Sequence, residues 1–280
     1  MPAHETKAHD FFGLTRRGRR RAVNQDQFLI ARLARSASQL FSSLTHVDNQ
    51  LWEHESEAHL LVVADGLGTG GGRLASSLAV EVLAEEIAAA ARGYWGLDVD
   101  AEDQLVDRLE GAVRTAHERI VARKESNDWL EVSKAASTLT MAMLLYPRAY
   151  VLHVGDSRGY YLHAGRLRRF TQDQTMEETL LNIGALPEDQ AGESGLDKVL
   201  TRSIGGDDAT PSLGLVDVED GDVLLLCTDG LTRHVGDDAV AEILARDLSA
   251  EQMCNELLAA ALAAGSEDDI SIIVGRMGVE

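Results

Sequence analysis

Cysteine, proline and long apolar runs are all scarce in this sequence of 280 residues. The 2 cysteines, Cys227 and Cys254, cannot form a disulfide framework, and their scarcity suits a reducing compartment. With only 4 prolines and no low-complexity tract, the sequence shows no linker. Apolar runs end far short of the roughly 20 residues that cross a bilayer, so we expect no membrane partner.

Positive charge is also in short supply. Lys and Arg total 26 against 46 Asp and Glu, which gives a net charge of -20. Nucleic-acid binding depends on basic side chains that neutralise phosphates, so we expect no nucleic-acid partner. An acidic surface also repels phosphorylated molecules at long range. A phosphate site here must therefore bring its own positive charge, from metal ions or from the basic cluster of Arg16, Arg17, Arg19, Arg20 and Arg21.

The N-terminus predicts a tail rather than a targeting signal. MPAHETKAHD has no apolar stretch behind a basic patch, which argues against a secretory signal and favours the cytoplasm. A chain of this length with 45% apolar residues can bury one large core. We expect an N-terminal tail at residues 1–10 and a single domain at residues 11–280.

Two helical patterns are followed by a series of strand patterns in the middle of the chain. Residues 73–92 and 101–124 repeat apolar side chains every three or four positions, which predicts two amphipathic helices packed consecutively. Short β-rich runs then start at Ser137, Ala149 and Gly159, and they predict an antiparallel meander.

The last part of the chain again groups its elements in blocks. The patterns predict a strand at 222–230, helices at 237–246 and 249–264, and a strand from Ile270. Such blocks favour an α+β fold with helices on the outer faces of the sheets over a strictly alternating parallel fold. Weak periodicity at 31–58 and 172–198 predicts two excursions, which we expect to influence substrate choice.

Aspartates recur where apolar strand patterns begin or end. They are Asp26, Asp65, Asp156, Asp229 and the pair Asp268 and Asp269. A single Asp-Gly is most often a turn, but several carboxylates at strand ends of one core are costly unless a cation compensates them. Hard oxygen ligands suit Mg²⁺ or Mn²⁺. Zinc is disfavoured because the histidines lack a metal-binding spacing, and His153 fits a packed strand histidine.

The order of motifs resembles that of the PP2C-type metal-dependent phosphatases in their compact bacterial form. Gly18, Arg21 and Asn24-Gln25-Asp26 match the opening motif G-x-x-R-x-x-N-[EQ]-D. The later motifs, in family order over residues 11–276, are LLVVADG, HVGDSR, LTRSIGG, LLLCTDGLT and GSEDDISIIV. Several ordered motifs over nearly the whole chain are far more specific than any single one.

This resemblance implies a fold, an activity and a metal site. The fold is an αββα sandwich, two antiparallel sheets packed face to face and flanked by helices. The activity is hydrolysis of phosphoserine and phosphothreonine on proteins, in opposition to a serine/threonine kinase. Two Mn²⁺ or Mg²⁺ ions, about 3.5 to 4 Å apart, would lower the pKa of a water and neutralise the phosphoryl oxygens.

The resemblance also assigns roles to individual residues. Asp65 would bridge the two metals, and the Gly66 carbonyl would bind one of them. Asp229 and Asp268 would bind the other, with Asp269 as the alternative to Asp268. Asp26 would hold a water on the metals. Asp156 matches an aspartate that helps some bacterial members bind a third ion. Arg21 would clamp the substrate phosphate, since a planar guanidinium can meet two phosphate oxygens at once.

Departures from the family pattern leave other functions open. Arg73 stands at a position that is usually acidic, and the usual Asp-His-Ser reads Asp173-Gln174-Thr175. One alternative is a catalytically weak phosphatase-like domain that binds phosphoproteins or regulates them. A second is a cysteine phosphatase, because Cys227 and Arg233 have C-x5-R spacing, although Asp229 inside that loop would repel the phosphate. A third is a scaffold whose acids bind Ca²⁺ for stability, although no EF-hand-like loop is present.

Overall fold

The computed structural model describes residues 8–33, 38–42, 58–68, 70–94, 101–126, 134–192 and 194–279. In chain order the strands are β1 (Ala8–Arg16), β2 (Gln27–Leu33), β3 (Ser38–Ser42), β4 (Ala58–Ala64), β5 (Gly66–Leu67), β6 (Ala136–Ser137), β7 (Leu139–Leu145), β8 (Arg148–Val154), β9 (Arg158–His163), β10 (Arg166–Arg169), β11 (Ser212–Asp217), β12 (Val223–Cys227) and β13 (Ile270–Val279). The helices are α1 (Gly72–Tyr94), α2 (Ala101–Glu125), α3 (Met176–Asn182), α4 (Asp229–Thr232), α5 (Asp237–Leu244) and α6 (Ala250–Ala263).

Two antiparallel sheets form the centre of the fold. The first has the strand order β1-β13-β12-β9-β10, and the second has the order β11-β8-β7-β4-β2-β3. β5 and β6 pair separately beside the second sheet. Helices α1 and α2 pack on the outer face of the second sheet, whereas α5 and α6 pack on the outer face of the first. This arrangement confirms the predicted αββα sandwich.

Continuous apolar strands follow from having both sheet faces covered. On β4, Leu61 and Val63 point between the sheets, whereas Leu60 and Val62 point toward α1 and α2. β12 repeats this alternation, with Leu224 and Leu226 between the sheets and its other side chains facing α5 and α6. The layer between the sheets fixes their relative position, and with it the positions of the strand ends.

The predicted meander from Ser137 through Gly159 is wrong at its third strand. β7 and β8 pair as expected, but β9 pairs with β10 and β12 in the other sheet. The chain crosses between the sheets at Gly155, whose φ of 107° lies in a region that other residues rarely adopt. A side chain there would also meet Thr138. The crossover, which periodicity alone does not reveal, carries Asp156 from one sheet to the other.

The predicted helix boundaries are close to those observed, but the strand predicted at 222–230 ends at Cys227, and Asp229 begins α4. β1 begins at Ala8 and pairs with β13, so the last residues of the predicted 1–10 tail belong to the first sheet. The 172–198 excursion contains α3 and two short 3-10 turns, at Glu188–Gln190 and Leu196–Lys198. In the 31–58 excursion, β3 extends the second sheet, while residues 34–37 and 43–57 lie outside the described part.

None of the described helices is long and apolar enough to cross a membrane.

Candidate active site

The topology brings the predicted aspartates to one end of the sandwich. In the second sheet, Gln27 at the start of β2 pairs with Ala64 at the end of β4. Asp26, just before β2, and Asp65, just after β4, therefore lie at the same edge of this sheet. In the first sheet, Cys227 at the end of β12 pairs with Ile272 near the start of β13. Antiparallel pairing therefore puts strand starts and strand ends at the same edge.

Electrostatics shows that five of these carboxylates lie close together. The pKa of Asp65 is raised well above its usual value, chiefly by burial. The remaining causes are the negative charges of Asp26, Asp229, Asp156 and Asp268. Residues that are up to 242 positions apart in sequence thus act on one buried carboxyl, which is the convergence that the strand-end pattern predicts.

The backbone of Asp65 is fixed from both sides. Its N–H donates to Thr138 Oγ1 at 2.9 Å, and its carbonyl accepts from the Ser137 hydroxyl at 3.0 Å. Gly66, the predicted carbonyl ligand, packs against Gly72 at the start of α1, and a side chain at either glycine would collide with the backbone of the other. Two glycines are needed for this close approach, which holds the Asp65 turn against the helix.

Asp26 is almost completely buried, with 1% of its surface exposed. Its Oδ2 accepts a hydrogen bond from the Thr228 hydroxyl at 2.8 Å, whereas its Oδ1 is buried and has no hydrogen-bond partner. Burial, followed by the charges of Asp269 and Asp229, raises the pKa of Asp26 to about 8. Asp26 therefore either holds a proton or, when it is ionised, needs a cation to compensate its charge.

The neighbours Asp268 and Asp269 have different surroundings. Both Asp269 oxygens accept backbone N–H groups at 2.8 Å, from Gly18 and Gln25. Asp268 instead pairs with Arg21, whose Nε lies 2.9 Å from Oδ1. Asp269 is thus occupied in holding the Gly18–Gln25 segment, and Asp268 is the acid that faces the site.

Arg21 is oriented by two side chains. Besides the Asp268 ion pair, its Nη1 donates to Gln25 Oε1 at 2.9 Å. Gln25 is a residue whose role sequence reasoning missed, although it stands inside the opening motif. The pKa of Arg21 is raised, mainly by the Asp268 hydrogen bond. No described residue accepts from Nη2, so that nitrogen can meet a phosphate oxygen.

Asp156 and Asp229 share a second arginine that the sequence analysis placed elsewhere. Arg233 Nε lies 2.5 Å from Asp229 Oδ2, and Arg233 Nη2 lies 3.1 Å from Asp156 Oδ2. Burial first, and then the charge of Asp229, raises the pKa of Asp156 to about 7, while Arg233 opposes the rise. A cation four residues after an aspartate on a helix is the signal that could have identified this pair.

The donor set fits a hard divalent cation. Asp26 Oδ1 and Asp229 Oδ1 are both buried without a hydrogen-bond partner, and Asp65 is buried among like charges. Such oxygens are the ligands that Mg²⁺ and Mn²⁺ prefer. Within the described residues, no three His, Cys, Asp or Glu side chains stand close enough to hold one ion as arranged here. Arg21 and Arg233 instead hold three of the carboxylates in ion pairs.

The altered Asp173-Gln174-Thr175 motif has a structural role. Asp173 forms a two-pronged ion pair with Arg158, with Nη2 to Oδ2 at 2.6 Å. Gln174 Oε1 accepts the Gly155 N–H at 2.9 Å, and the Thr175 hydroxyl caps α3. The motif therefore anchors the turn that carries Asp156. His153 is buried between Thr140 and the Gln172 carbonyl, as expected of a packed histidine.

Cys227 cannot serve as a thiolate nucleophile. Its side chain is fully buried on β12, and burial raises its pKa to about 12. Arg233, the other half of the C-x5-R spacing, is engaged by aspartates. The structure thus contradicts the cysteine phosphatase alternative, since reactive cysteines need a lowered pKa and access to solvent.

Comparisons with known proteins agree with this site. The model of the protein phosphatase 2C family matches residues 35–265. The chain is 32% identical to the serine/threonine protein phosphatase PstP of Mycobacterium tuberculosis over 219 residues. This alignment covers 78% of this chain and 40% of PstP. It therefore spans about two fifths of that relative's length. The serine/threonine phosphatase stp of Listeria monocytogenes is 26% identical over 228 residues, covering 80% of this chain and 86% of the relative.

A solved structure supports the same assignment. The catalytic domain of the serine/threonine phosphatase PstP in complex with 2 manganese ions superimposes with a TM-score of 0.71 at 26% identity, covering 96% of this chain and 99% of that one. The fold, the ordered motifs and the converging aspartates all coincide with this family match. The chain belongs to the protein phosphatase 2C family.

Proposed function

We propose that this chain is a metal-dependent phosphatase that hydrolyses phosphoserine and phosphothreonine on proteins. The observation that carries the proposal is the convergence of Asp26, Asp156, Asp229 and Asp268 on the buried Asp65. Each relative reported above is named as a serine/threonine phosphatase, which favours hydrolysis over a phosphoprotein-binding module. The 2 manganese ions of the PstP catalytic domain support Mn²⁺ or Mg²⁺ as the cofactor here.

The proposed ligands combine Asp65, which has no ion-pair partner among the described residues, with two aspartates that each also contact an arginine. Asp65 would contact both ions, with the Gly66 carbonyl on one side and Asp229 and Asp268 on the other. Two such ions lower the pKa of a water and neutralise charge on the phosphoryl group during in-line attack. Asp26 would orient water through its unpartnered Oδ1, since its other oxygen is held by Thr228.

Arg21 would bind the substrate phosphate. Asp268 and Gln25 hold its guanidinium in place, and a part of the side chain remains open to solvent, at 39% exposure. A pre-positioned guanidinium loses little conformational entropy when it binds phosphate, which favours a well-defined orientation. Arg21 thereby positions the phosphorus for attack, while the aspartates hold the ions.

The basic cluster on the adjoining turn supplies local attraction for substrates. Arg16, Arg17, Arg19 and Arg20 are exposed, and the glycine among them, Gly18, packs tightly on the Glu267–Asp268 backbone. These positive charges therefore lie beside a proposed metal ligand in a chain of net charge -20. They counter the repulsion between the acidic surface and an approaching phosphoprotein.

We further propose that the residues from β1 to β13 form one catalytic domain, that it acts in the cytoplasm, and that its substrates are made by a serine/threonine kinase. The apolar cluster between the sheets contains Phe11 from β1 and Met277 from β13, so it joins both ends of the described chain. This packing supports a single folding unit.

The test is hydrolysis of p-nitrophenyl phosphate and of a phosphothreonine peptide with Mn²⁺. We expect turnover that EDTA abolishes, that Asp229→Ala abolishes, and that a thiol alkylator leaves intact. Asp208→Asn is the matched control, because Asp208 pairs with Arg202 on the surface outside the site. Phosphopeptide binding without any turnover would contradict the proposal and favour the binding-module alternative.

A further inference from the structure

Arg233 forms ion pairs with three aspartates from three different parts of the chain. Its Nε contacts Asp229, its Nη2 contacts Asp156, and its Nη1 contacts Asp197 Oδ2 at 2.8 Å. Each nitrogen of the guanidinium thus faces a separate carboxylate. Only arginine offers several fixed donors in one plane, so a lysine could not make these contacts together.

The arginine is in the right place to neutralise a buried acid. Asp156 has 8% of its side chain exposed and Asp229 has 13%, while Arg233 itself has 26%. A buried carboxylate needs a compensating positive charge, and here the chain provides one. A divalent ion placed between the same carboxylates would collide with the guanidinium and be repelled by it.

Asp197, the third partner of Arg233, belongs to a segment with no buried residue among those described. We call residues 176–199, from α3 to the second 3-10 turn, the 176–199 segment. Its ends meet where the Met176 N–H donates to the Val199 carbonyl at 2.7 Å. None of its described residues is buried, so it has little apolar packing to hold it on the domain. The Asp197–Arg233 ion pair joins this segment directly to the site.

We propose that Arg233 is a built-in cation that takes the place of a further metal ion beside Asp156 and ties the 176–199 segment to the active site. Arg233 is a positioning residue: it acts through the aspartates and does not touch the reacting atoms. The inference rests on the proposed function for the metal site, but the tie to the segment exists without metal. With Arg233 in place, the chain binds one divalent ion fewer than its carboxylates could hold.

The first experiment counts ions. Mn²⁺ binding is measured by titration calorimetry and by metal analysis after dialysis, for the unmodified chain and for Arg233→Gln. We expect Arg233→Gln to bind one more Mn²⁺ than the unmodified chain, because three carboxylates lose their shared cation. Adding Asp156→Asn to Arg233→Gln should remove the gained ion. Equal numbers of ions in the unmodified chain and in Arg233→Gln would overturn the proposal.

The second experiment follows the segment in EDTA. Amide hydrogen exchange of peptides within 176–199 should be faster by about threefold in both Arg233→Gln and Asp197→Asn, because each variant loses an ion pair worth on the order of RT. Asp208→Asn removes a surface ion pair outside the segment and should leave its exchange unchanged. Asp197→Asn keeps the test valid if Arg233→Gln folds poorly, since Asp197 lies outside the core. Unchanged amide exchange in Asp197→Asn would contradict the proposal that Arg233 holds the 176–199 segment at the active site.

The two failures can be told apart. If the unmodified chain binds no Mn²⁺ and hydrolyses nothing, the proposed function is wrong, while the exchange result in EDTA still decides the role of Arg233. If hydrolysis occurs but neither the ion count nor the exchange responds to Arg233→Gln, the proposed function stands and the role of Arg233 is wrong.

Discussion

The site contains two kinds of carboxylate. Asp156, Asp229 and Asp268 each contact an arginine, whereas within the described residues neither Asp26 nor Asp65 has an ion-pair partner. The first group has its charge balanced by the chain itself. Asp26, Asp65 and Asp156 are all buried and have raised pKa values, but only for Asp156 does an arginine oppose the rise. The difference indicates where the chain needs an external cation: at the Asp26–Asp65 side of the site.

The largest effect is expected at Asp65. Asp65→Asn removes the charge on which the other four carboxylates act, and we expect the Mn²⁺-dependent rate to fall by ~10³-fold or more, about 4 kcal/mol of transition-state stabilisation. The metal-free protein should become more stable, because a buried like charge is lost; each ~1 kcal/mol raises Tm by about 2–4 °C. Assays and thermal melts in EDTA measure both. A metal-free Tm below that of the unmodified protein would contradict the comparison.

The pH dependence of metal-free stability should reveal the cost of ionising Asp26. The folded-state pKa of Asp26 is about 8, above the 3.8 of an ordinary Asp, so the folded protein holds a proton that the unfolded chain releases. Stability from this group is present at low pH and is lost as pH rises through about 4 to 8. Bound Mn²⁺ should reverse the loss, so the Mn²⁺-induced rise in Tm should be larger at pH 8 than at pH 6.

The control for that experiment is Asp26→Asn, in which the metal-free protein should lose part of its pH dependence. An Mn²⁺-induced rise in Tm that is the same at pH 6 and pH 8 in the unmodified protein would contradict the account of Asp26.

A smaller contrast separates the neighbours Asp268 and Asp269. Asp269→Ala removes acceptors for the Gly18 and Gln25 N–H groups, and we expect a loss of roughly 2–4 kcal/mol in unfolding free energy, at about 1.5–3 kcal/mol per hydrogen bond to a charged group. Asp268→Ala should cost less stability and weaken Mn²⁺ binding more. Urea unfolding and calorimetry compare the two. If Asp269→Ala weakened Mn²⁺ binding while leaving stability intact, the assignment of the two acids would be reversed.

The smallest effect is expected on the exposed turn. Arg19→Glu changes charge beside the site without removing a proposed ligand. We expect kcat/KM for a phosphopeptide to fall by about 2–5-fold at low salt, and the difference to shrink near 0.5 M salt because screening weakens long-range attraction. p-Nitrophenyl phosphate, which has no peptide to attract, should respond less. Equal losses for both substrates would mean that the turn acts on catalysis itself.

Much of the fold was predictable because each pattern has a local cause. The helices beginning near residues 73 and 101 and the strands that end just before Asp65 and Asp229 follow from periodicity and from apolar runs with both faces covered. The assignment of β9 to the first sheet was not predictable, because the crossover depends on the conformation of Gly155 and on Thr138 far away in sequence.

The aspartates of the site were predictable from sequence, but most of the contacts that hold them in place were not. The strand-end pattern and the ordered motifs identified the aspartates that the structure brings together. Two of the three partners of Arg233 could not be read from sequence, since Asp156 and Asp197 reach it only through tertiary packing. The same holds for Gln174, which accepts the Gly155 N–H 19 positions away in sequence.

The most direct test of the central claim is a crystal structure with saturating Mn²⁺ and an anomalous difference map. The account predicts Mn²⁺ in contact with the carboxylate of Asp65 and with those of Asp229 and Asp268, and Arg233 still beside Asp156. A map with no Mn²⁺ in contact with Asp65 would contradict the claim that these aspartates converge to hold the catalytic ions.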